Sequence, residues 1–338
     1  MGMLQFLQFA AIRAGMAVFT LLFVSLIVFT LMELVPGTCA ERYLAFKNTQ
    51  GQGISVEDIE AEERRLGLDR PFLVRWTSWV GNVIFRGAFG DSCILRLNIN
   101  DLLGDKFLIS LGICLTSLFL AYLIAIPVGI VSASSDSAVL NNSLRFVSYL
   151  GLAMPNFLLA LIIMLISTVV FGDSLTGLFS NEYRDAAWSW DPVKDFLSRA
   201  WLPVFILGWS ATAFALQSAR PLILEENYQP YVPAARARGL YGRRLLWRYP
   251  ARHALGPIIN SLGFDLNRVF NELPIVALIL TLTEAGALLL EALARSNDQQ
   301  LAGAIIFLLT ATIVTVNFLT DIALALIDPR IRKSVVGG

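Results

Sequence analysis

The chain has 338 residues, 56% of them hydrophobic and 15% charged, with a mean hydropathy of +0.65 and a formal net charge of zero. Soluble domains carry about 25% charged residues, so this deficit excludes an ordinary water-soluble fold and makes lipid the main solvent. A single histidine and three scattered cysteines exclude His/Cys zinc or iron centres, so no metal is expected, and no G-x-x-x-x-G-K-[ST] is present to bind ATP as a P-loop.

Five uncharged runs, 14–32, 107–131, 146–172, 200–219 and 301–320, are 19 to 27 residues long. A crossing needs roughly 20 apolar residues, so each reads as a transmembrane helix. Residues 258–283 count as a sixth, although Asp265, Arg268 and Glu272 interrupt them. The expected fold is an all-α membrane protein of six transmembrane helices. With the N-terminus inside, the inner segments hold twelve Lys and Arg against four in the short outer loops, Arg184, Lys194, Arg199 and Arg295. Both termini are therefore expected in the cytoplasm.

In chain order, residues 1–35 form a cytoplasmic start and the first helix. Its apolar run is too long for a signal-peptide core, and no small-residue cleavage site follows Pro36, so it is expected to stay uncleaved. Residues 36–106 form a large outer, periplasmic segment. Ser55 and Asp58 have capping-box spacing, opening a helix that Gly67 closes. In 73–85, Leu73, Trp76, Val80 and Ile84 share one face. That helix either lies in the membrane interface, with Trp76 and Trp79 at headgroup level, or packs on the segment's own core. Cys39 and Cys93 could bridge in an oxidising compartment; nothing in their spacing favours it, and two unpaired thiols are the expectation. Cys114 falls within the second span.

Residues 107–332 carry helices 2–6, and 333–338 are a cytoplasmic tail. Pro127 and Pro155 each remove a backbone donor from a span and are expected to kink it. A cytoplasmic turn, 132–142, joins the second and third spans, and 172–199 form a second outer loop with Trp188 and Trp190 near the interface. Between the fourth and fifth spans lies an inner loop, 220–257. Its core, YVPAARARGLYGRRLLWRYPARHALGPI (231–258), holds Arg236, Arg238, Arg243, Arg244, Arg248 and Arg252 and no acid. Pro233 suits a helix N1 position, Gly239 a stop and Gly242 a second break, with another short helix disturbed at Pro250. The expected result is a basic knob on which a partner docks. In the fifth span, Asp265, Arg268 and Glu272 have helix-neighbour spacing and could neutralise one another as a ladder. Charges at membrane depth face a cavity or one another. They are expected either to line a translocation path, with Asn267 and Asn271 nearby, or to pair at a subunit interface.

The basic loop resembles the EAA loop of permease subunits of ATP-binding-cassette importers. LVPG (34–37), LGLDRPFLVRW (66–76), AYLIAIPVGI (121–130), AARARGL with RHALGPI, and VNFLTDIALALIDPRIR (316–332) are together similar to the dipeptide/oligopeptide/nickel branch. The resemblance implies a bacterial inner-membrane subunit that pairs with a second permease, two cytoplasmic ATPases and a periplasmic or lipid-anchored substrate-binding protein. It implies no cofactor in this chain, with ATP and Mg held by the ATPases, and no enzymatic activity. Contact with the ATPases would fall on Tyr231, Ala234, Ala235, Arg236, Arg238, Gly239, Leu240, Arg243, Arg244 and Arg248; small residues let the coupling helix nest in a groove. Pro233 stands where the general pattern has glutamate. In the fifth span the family's usual acid falls on Ala277 and its Trp-Pro-Gly on Leu282, Thr283 and Glu284, while Gly286, Glu291 and Ala292 fit.

The function expected is that of a permease moving peptides or related small polar solutes by alternating access. Lipid is a partner and nucleic acid is not. Two alternatives are a proton-coupled secondary transporter using Asp265 and Glu272, and a membrane scaffold that only recruits a cytoplasmic protein.

Overall fold

A computed structural model describes residues 2–34, 36–49, 55–172, 175–180, 182–183, 186, 188–282, 285–292 and 298–327. Arg184, Arg295, Thr283, Glu284, Arg330, Arg332, Lys333 and the 333–338 tail lie outside the described residues. Among the described residues the regular structure is helical, apart from one isolated bridge, Asp91 to Asn98.

Fourteen helices are described: α1 (Gly2–Leu34), α2 (Cys39–Thr49), α3 (Val56–Leu66), α4 (Phe72–Arg86), α5 (Ile99–Ser134), α6 (Ala138–Ala153), α7 (Asn156–Ile166), α8 (Trp190–Asn227), α9 (Tyr231–Ala237), α10 (Gly242–Arg248), α11 (Pro250–Asn260), α12 (Leu262–Ile279), α13 (Ala285–Leu290) and α14 (Gln299–Ile327). A π-helical turn, Ser167–Phe171, follows α7. They divide into two compact units: Met1–Ala10, Ser110–Leu282 and Val316–Gly338; and Ala11–Ile109 with Thr283–Thr315.

Among the described residues, four helices are long and apolar enough to cross a membrane: Leu4–Leu34, α5, α8 and Gln299–Leu326. The predicted third span, 146–172, is not one straight rod. Proline drives the residue before it out of the helical region. Met154 accordingly sits at φ −94°, ψ 112°, α6 ends at Ala153, and Ala138–Ala153 meets Asn156–Val170 at 94°. Neither limb alone covers about 30 Å of hydrocarbon, so the pair is at most one broken span. Pro127 behaves differently. α5 runs through it in helical geometry, and the break in that helix is at Gly104, with φ 39°, ψ −130°. The charged stretch 258–283 divides at Ser261 into α11 and α12, and α12 does not qualify as a span by apolar composition. Among the described residues there are thus four candidate spans, or five with the bent pair counted as one, where the charge-free runs and 258–283 predict six.

In the first unit, small side chains let helices approach closely. α8 buries Ala211, Ala215 and Ala219 at every fourth position, a spacing that suits helix contact in lipid. A Cβ on Gly151 of α6 would lie 2.7 Å from the Ala213 Cβ, and one on Gly263 of α12 would lie 1.4 Å from Asn317 Oδ1.

In the second unit, Ser55 accepts from the Asp58 N–H, Asp58 accepts from the Ser55 N–H, and Gly67 closes α3, as predicted. α4 packs on protein. Trp76 Nε1 donates to Ser25 Oγ at 3.2 Å, Trp79 Nε1 donates to the Phe89 carbonyl at 3.2 Å, and the Trp79 ring meets Phe307 edge-on. Leu73, Ile84 and Phe85 are exposed on its other side. The predicted Leu73–Ile84 face is therefore split from its tryptophans.

Cys39 and Cys93 form a disulfide, which corrects the expectation of free thiols. Sequence spacing held no sign of it because folding, not separation along the chain, brings their Cα atoms to 5.4 Å. Beside it, Asp298 is fully buried. It accepts from Ser92 Oγ, from the Cys93 and Ile94 N–H groups at 3.3 Å each, and from the Leu301 N–H at 3.1 Å. One carboxylate so caps the start of α14 and fixes the loop carrying Cys93.

Candidate functional site

The basic segment folds as the knob its composition suggests, with shifted boundaries. α9 begins at Tyr231, so Pro233 lies two residues inside rather than at N1. The first-turn N–H groups need no intrahelical acceptor, so proline costs little there. The helix ends in a Schellman turn: the Gly239 N–H donates to the Arg236 carbonyl at 2.9 Å and the Leu240 N–H to the Ala235 carbonyl at 3.2 Å. Gly239 has φ +84°, a left-handed conformation that a Cβ penalises. α10 follows, and Pro250 restarts the chain as the first residue of α11.

The knob closes on a small apolar centre, Val232, Ala235 and Leu245, covered by Tyr231, Leu240 and Tyr249. Tyr231 also donates to Glu226 and lies 4.8 Å from the His253 ring. Burial, followed by that carboxylate, pushes the Tyr231 phenol above its ordinary range. Arg236, Arg238, Arg243, Arg244, Arg248 and Arg252 are all exposed, as are Ala234 and Gly239. Ala235 is not; it is 4% accessible and belongs to the knob's interior. A seven-residue helix this short is marginal in isolation. The turn and the apolar centre hold it, which frees every arginine to meet something else.

The second constellation is rearranged relative to expectation. Among the described residues no ion pair links Asp265, Arg268 and Glu272. Asp265 is 2% accessible and accepts from Tyr122 of α5 and from Ser261 Oγ at 3.4 Å. Glu272 accepts from Asn156 Nδ2 of α7 and from Ser210 Oγ of α8 at 3.5 Å. Arg268 donates to the Ser210 carbonyl at 3.3 Å and lies over the Phe214 ring at 4.3 Å. The charged face of α12 thus ties it to α5, α7 and α8 through uncharged groups. Asn267 and Asn271 are not with it. Offsets of two and six residues from Asp265 turn them to the far side of the helix, where they are exposed with Phe264, Ile275 and Leu278. Tyr122, Asn156, Ser210 and Phe214 were missed in the sequence. Asn156 directly follows Pro155 and Tyr122 lies five residues before Pro127, but neither residue announces a carboxylate partner by itself.

Comparison with known proteins adds the family. Residues 125–333, more than half of the chain, match the family described as "Binding-protein-dependent transport system inner membrane component". The oligopeptide transport system permease protein AppB of Bacillus subtilis is 28% identical over 324 residues, covering 95% of this chain and 98% of that protein. The di/tripeptide transport system permease protein DppB of Pseudomonas aeruginosa is 26% identical over 340 residues, covering 96% and 99%. The peptidoglycan transport system permease protein YejB of Agrobacterium fabrum is 30% identical over 284 residues, covering 83% and 77%. Among solved structures, an inward-facing MetNI methionine ABC transporter aligns with TM-score 0.52 and 15% identity, covering 67% of this chain and 96% of that one; this likeness is one of fold.

Proposed function

We propose, from the premise that the chain belongs to the family of binding-protein-dependent transport system inner membrane components, that it is a permease of an ATP-driven importer for peptides or related small polar solutes. It is an inner-membrane protein with several crossings, and its relatives are named as permeases, not as enzymes. The observation that carries the reading further is the knob, in which six exposed arginines and exposed Ala234 and Gly239 stand on a separately stabilised core.

In this reading the knob is cytoplasmic and docks in a groove on a partner ATPase. Its arginines meet acids of the partner or anionic lipid heads. Small exposed residues allow close backbone approach. ATP and Mg stay with the partner ATPases, and ATP binding favours one of two permease conformations, since only differential affinity shifts such an equilibrium. The broken α6–α7 pair and α11–α12 each count as one crossing, which restores six and keeps both termini inside. Asp265, Arg268 and Glu272 act as a clamp that moves α12 together with α5, α7 and α8. The opposite face, with Asn267 and Asn271, meets the second permease or the solute path. A substrate-binding protein delivers solute from the other side.

Uptake of labelled trialanine into proteoliposomes tests this. The importer needs its ATPase subunits and internal ATP. Uptake by this chain alone, driven by a proton gradient, would overturn the proposal in favour of a secondary transporter; full assembly without uptake of any peptide would leave only a scaffold.

A further inference from the structure

α4 crosses two apolar helices well inside the layer that lipid occupies. The uncharged run of α1 ends at residue 32, and that of α14 begins at residue 301. Trp76 bonds to Ser25, the Phe72 and Trp79 rings both meet Phe29, and Trp79 meets Phe307. Ser25 and Phe307 lie seven and six residues inside those runs, which is about 10 Å along each helix at 1.5 Å per residue. The hydrocarbon of one leaflet is only about 15 Å deep. The crossing is therefore at acyl-chain depth. With 15 residues α4 is too short to span the membrane, so it lies along the leaflet in which α1 ends.

Around its axis α4 has three sides. Phe72, Trp76 and Trp79 hold α1 and α14, while Arg75, Ser78 and Asn82 edge a polar cavity together with Glu33 at the end of α1. Arg86 extends that polar edge and donates to Asn82 Oδ1 at 3.4 Å. The third side carries Leu73, Ile84 and Phe85, all exposed, and Phe85 keeps 86% of its surface. Thr77 lies on this side too, and its hydroxyl is bonded within the helix, to the Leu73 carbonyl at 2.8 Å and the Val74 carbonyl at 3.1 Å. Both indole N–H groups likewise have protein acceptors, so neither tryptophan needs the headgroups. Polar groups satisfied internally are what hydrocarbon demands. α1 meets α4 through Ser25, Phe29 and Glu33 and leaves Phe23, Ile27 and Leu31 exposed on its opposite side at the same level. Bare apolar side chains thus lie on the far sides of both helices. What covers them surrounds the pair, as acyl chains do.

We infer that α4 is an in-plane membrane helix: Leu73, Ile84 and Phe85 lie among lipid acyl chains, and the Ser78–Asn82 edge faces water. The inference needs α1 and α14 to cross a bilayer, and neither nucleotide nor solute enters it. The test is spin labelling of Leu73→Cys, Ile84→Cys, Phe85→Cys and Ser78→Cys, each with Cys114→Ala, in the assembled importer in nanodiscs. Relaxation by oxygen, which concentrates in lipid, is compared with relaxation by a water-soluble nickel chelate. Oxygen should dominate at 73, 84 and 85, with the sign reversed at 78. Dominance of the nickel chelate at 84 and 85 would put this side in water and overturn the inference. Weak relaxation by both would mean that a partner subunit covers it, which also overturns it. Wild-type importer in nanodiscs containing a phosphatidylcholine with a photoreactive acyl chain gives a second reading that needs no substitution. Label recovered on Leu73, Ile84 or Phe85 supports the inference, and a 72–86 peptide free of label overturns it. Trialanine uptake, measured separately, can fail without touching either result.

Discussion

The segment 231–258 and the segment 36–98 are both built from short helices, and they treat charge in opposite ways. In the first, six arginines are exposed around a centre of only Val232, Ala235 and Leu245. In the second, Arg75, Arg96 and Glu62 keep only 15%, 21% and 16% of their side-chain surface, a disulfide spans 54 residues of sequence, and the Asp298 that accepts from its Ser92, Cys93 and Ile94 is fully buried. Charges that are paired and buried fix a shape. Charges held out on a small independent core are available to a partner. On the proposed reading the first segment is there to be gripped, while the second holds its shape.

Perturbing the second segment should therefore cost the most stability. Replacing both Cys39 and Cys93 by Ser should cost up to about 4 kcal/mol through the lost closure of that loop. Thermal melting checks the loss. Alkylation of the unreduced, denatured wild type should label only Cys114, and all three thiols after reduction. Asp298→Ala should cost about 3 kcal/mol, because it leaves buried N–H groups of Cys93, Ile94 and Leu301 without their acceptor. A variant melting like wild type would break the contrast. On the knob, Gly239→Ala meets no neighbouring atom, so only the left-handed backbone resists it, at about 1–2 kcal/mol. Local hydrogen exchange around 235–240 is the measurement. The smallest effect is expected for the joint change Arg243→Gln and Arg244→Gln, within about 0.5 kcal/mol of wild-type stability, yet with ATP-driven uptake clearly reduced. A large loss of stability there would mean that these arginines hold the knob instead of serving a partner.

Much of this was legible in the sequence because the signals were local. Charge-free runs mark apolar helices, Ser55, Asp58 and Gly67 bracket α3, and Gly239 ends α9. What was not legible depended on contacts between distant residues. The Cys39–Cys93 bond and the Asp298 hub join positions brought close only by folding. Helix spacing correctly put Asp265, Arg268 and Glu272 on one face. It could not say that they would bond to Tyr122, Asn156 and Ser210 rather than to one another. Nor does an uninterrupted apolar run reveal how far Pro155 bends the chain, since the 94° turn depends on what the two limbs pack against.

The central claim is that a partner ATPase grips the knob and drives the helices through it. Gly239→Asp, assembled with its partner subunits in proteoliposomes, tests it most directly when trialanine uptake and ATP hydrolysis are measured together. The account predicts an intact complex whose uptake falls at least about tenfold, the consequence of losing some 1.4 kcal/mol of coupling. Uptake and hydrolysis both at wild-type rates in that complex would contradict it.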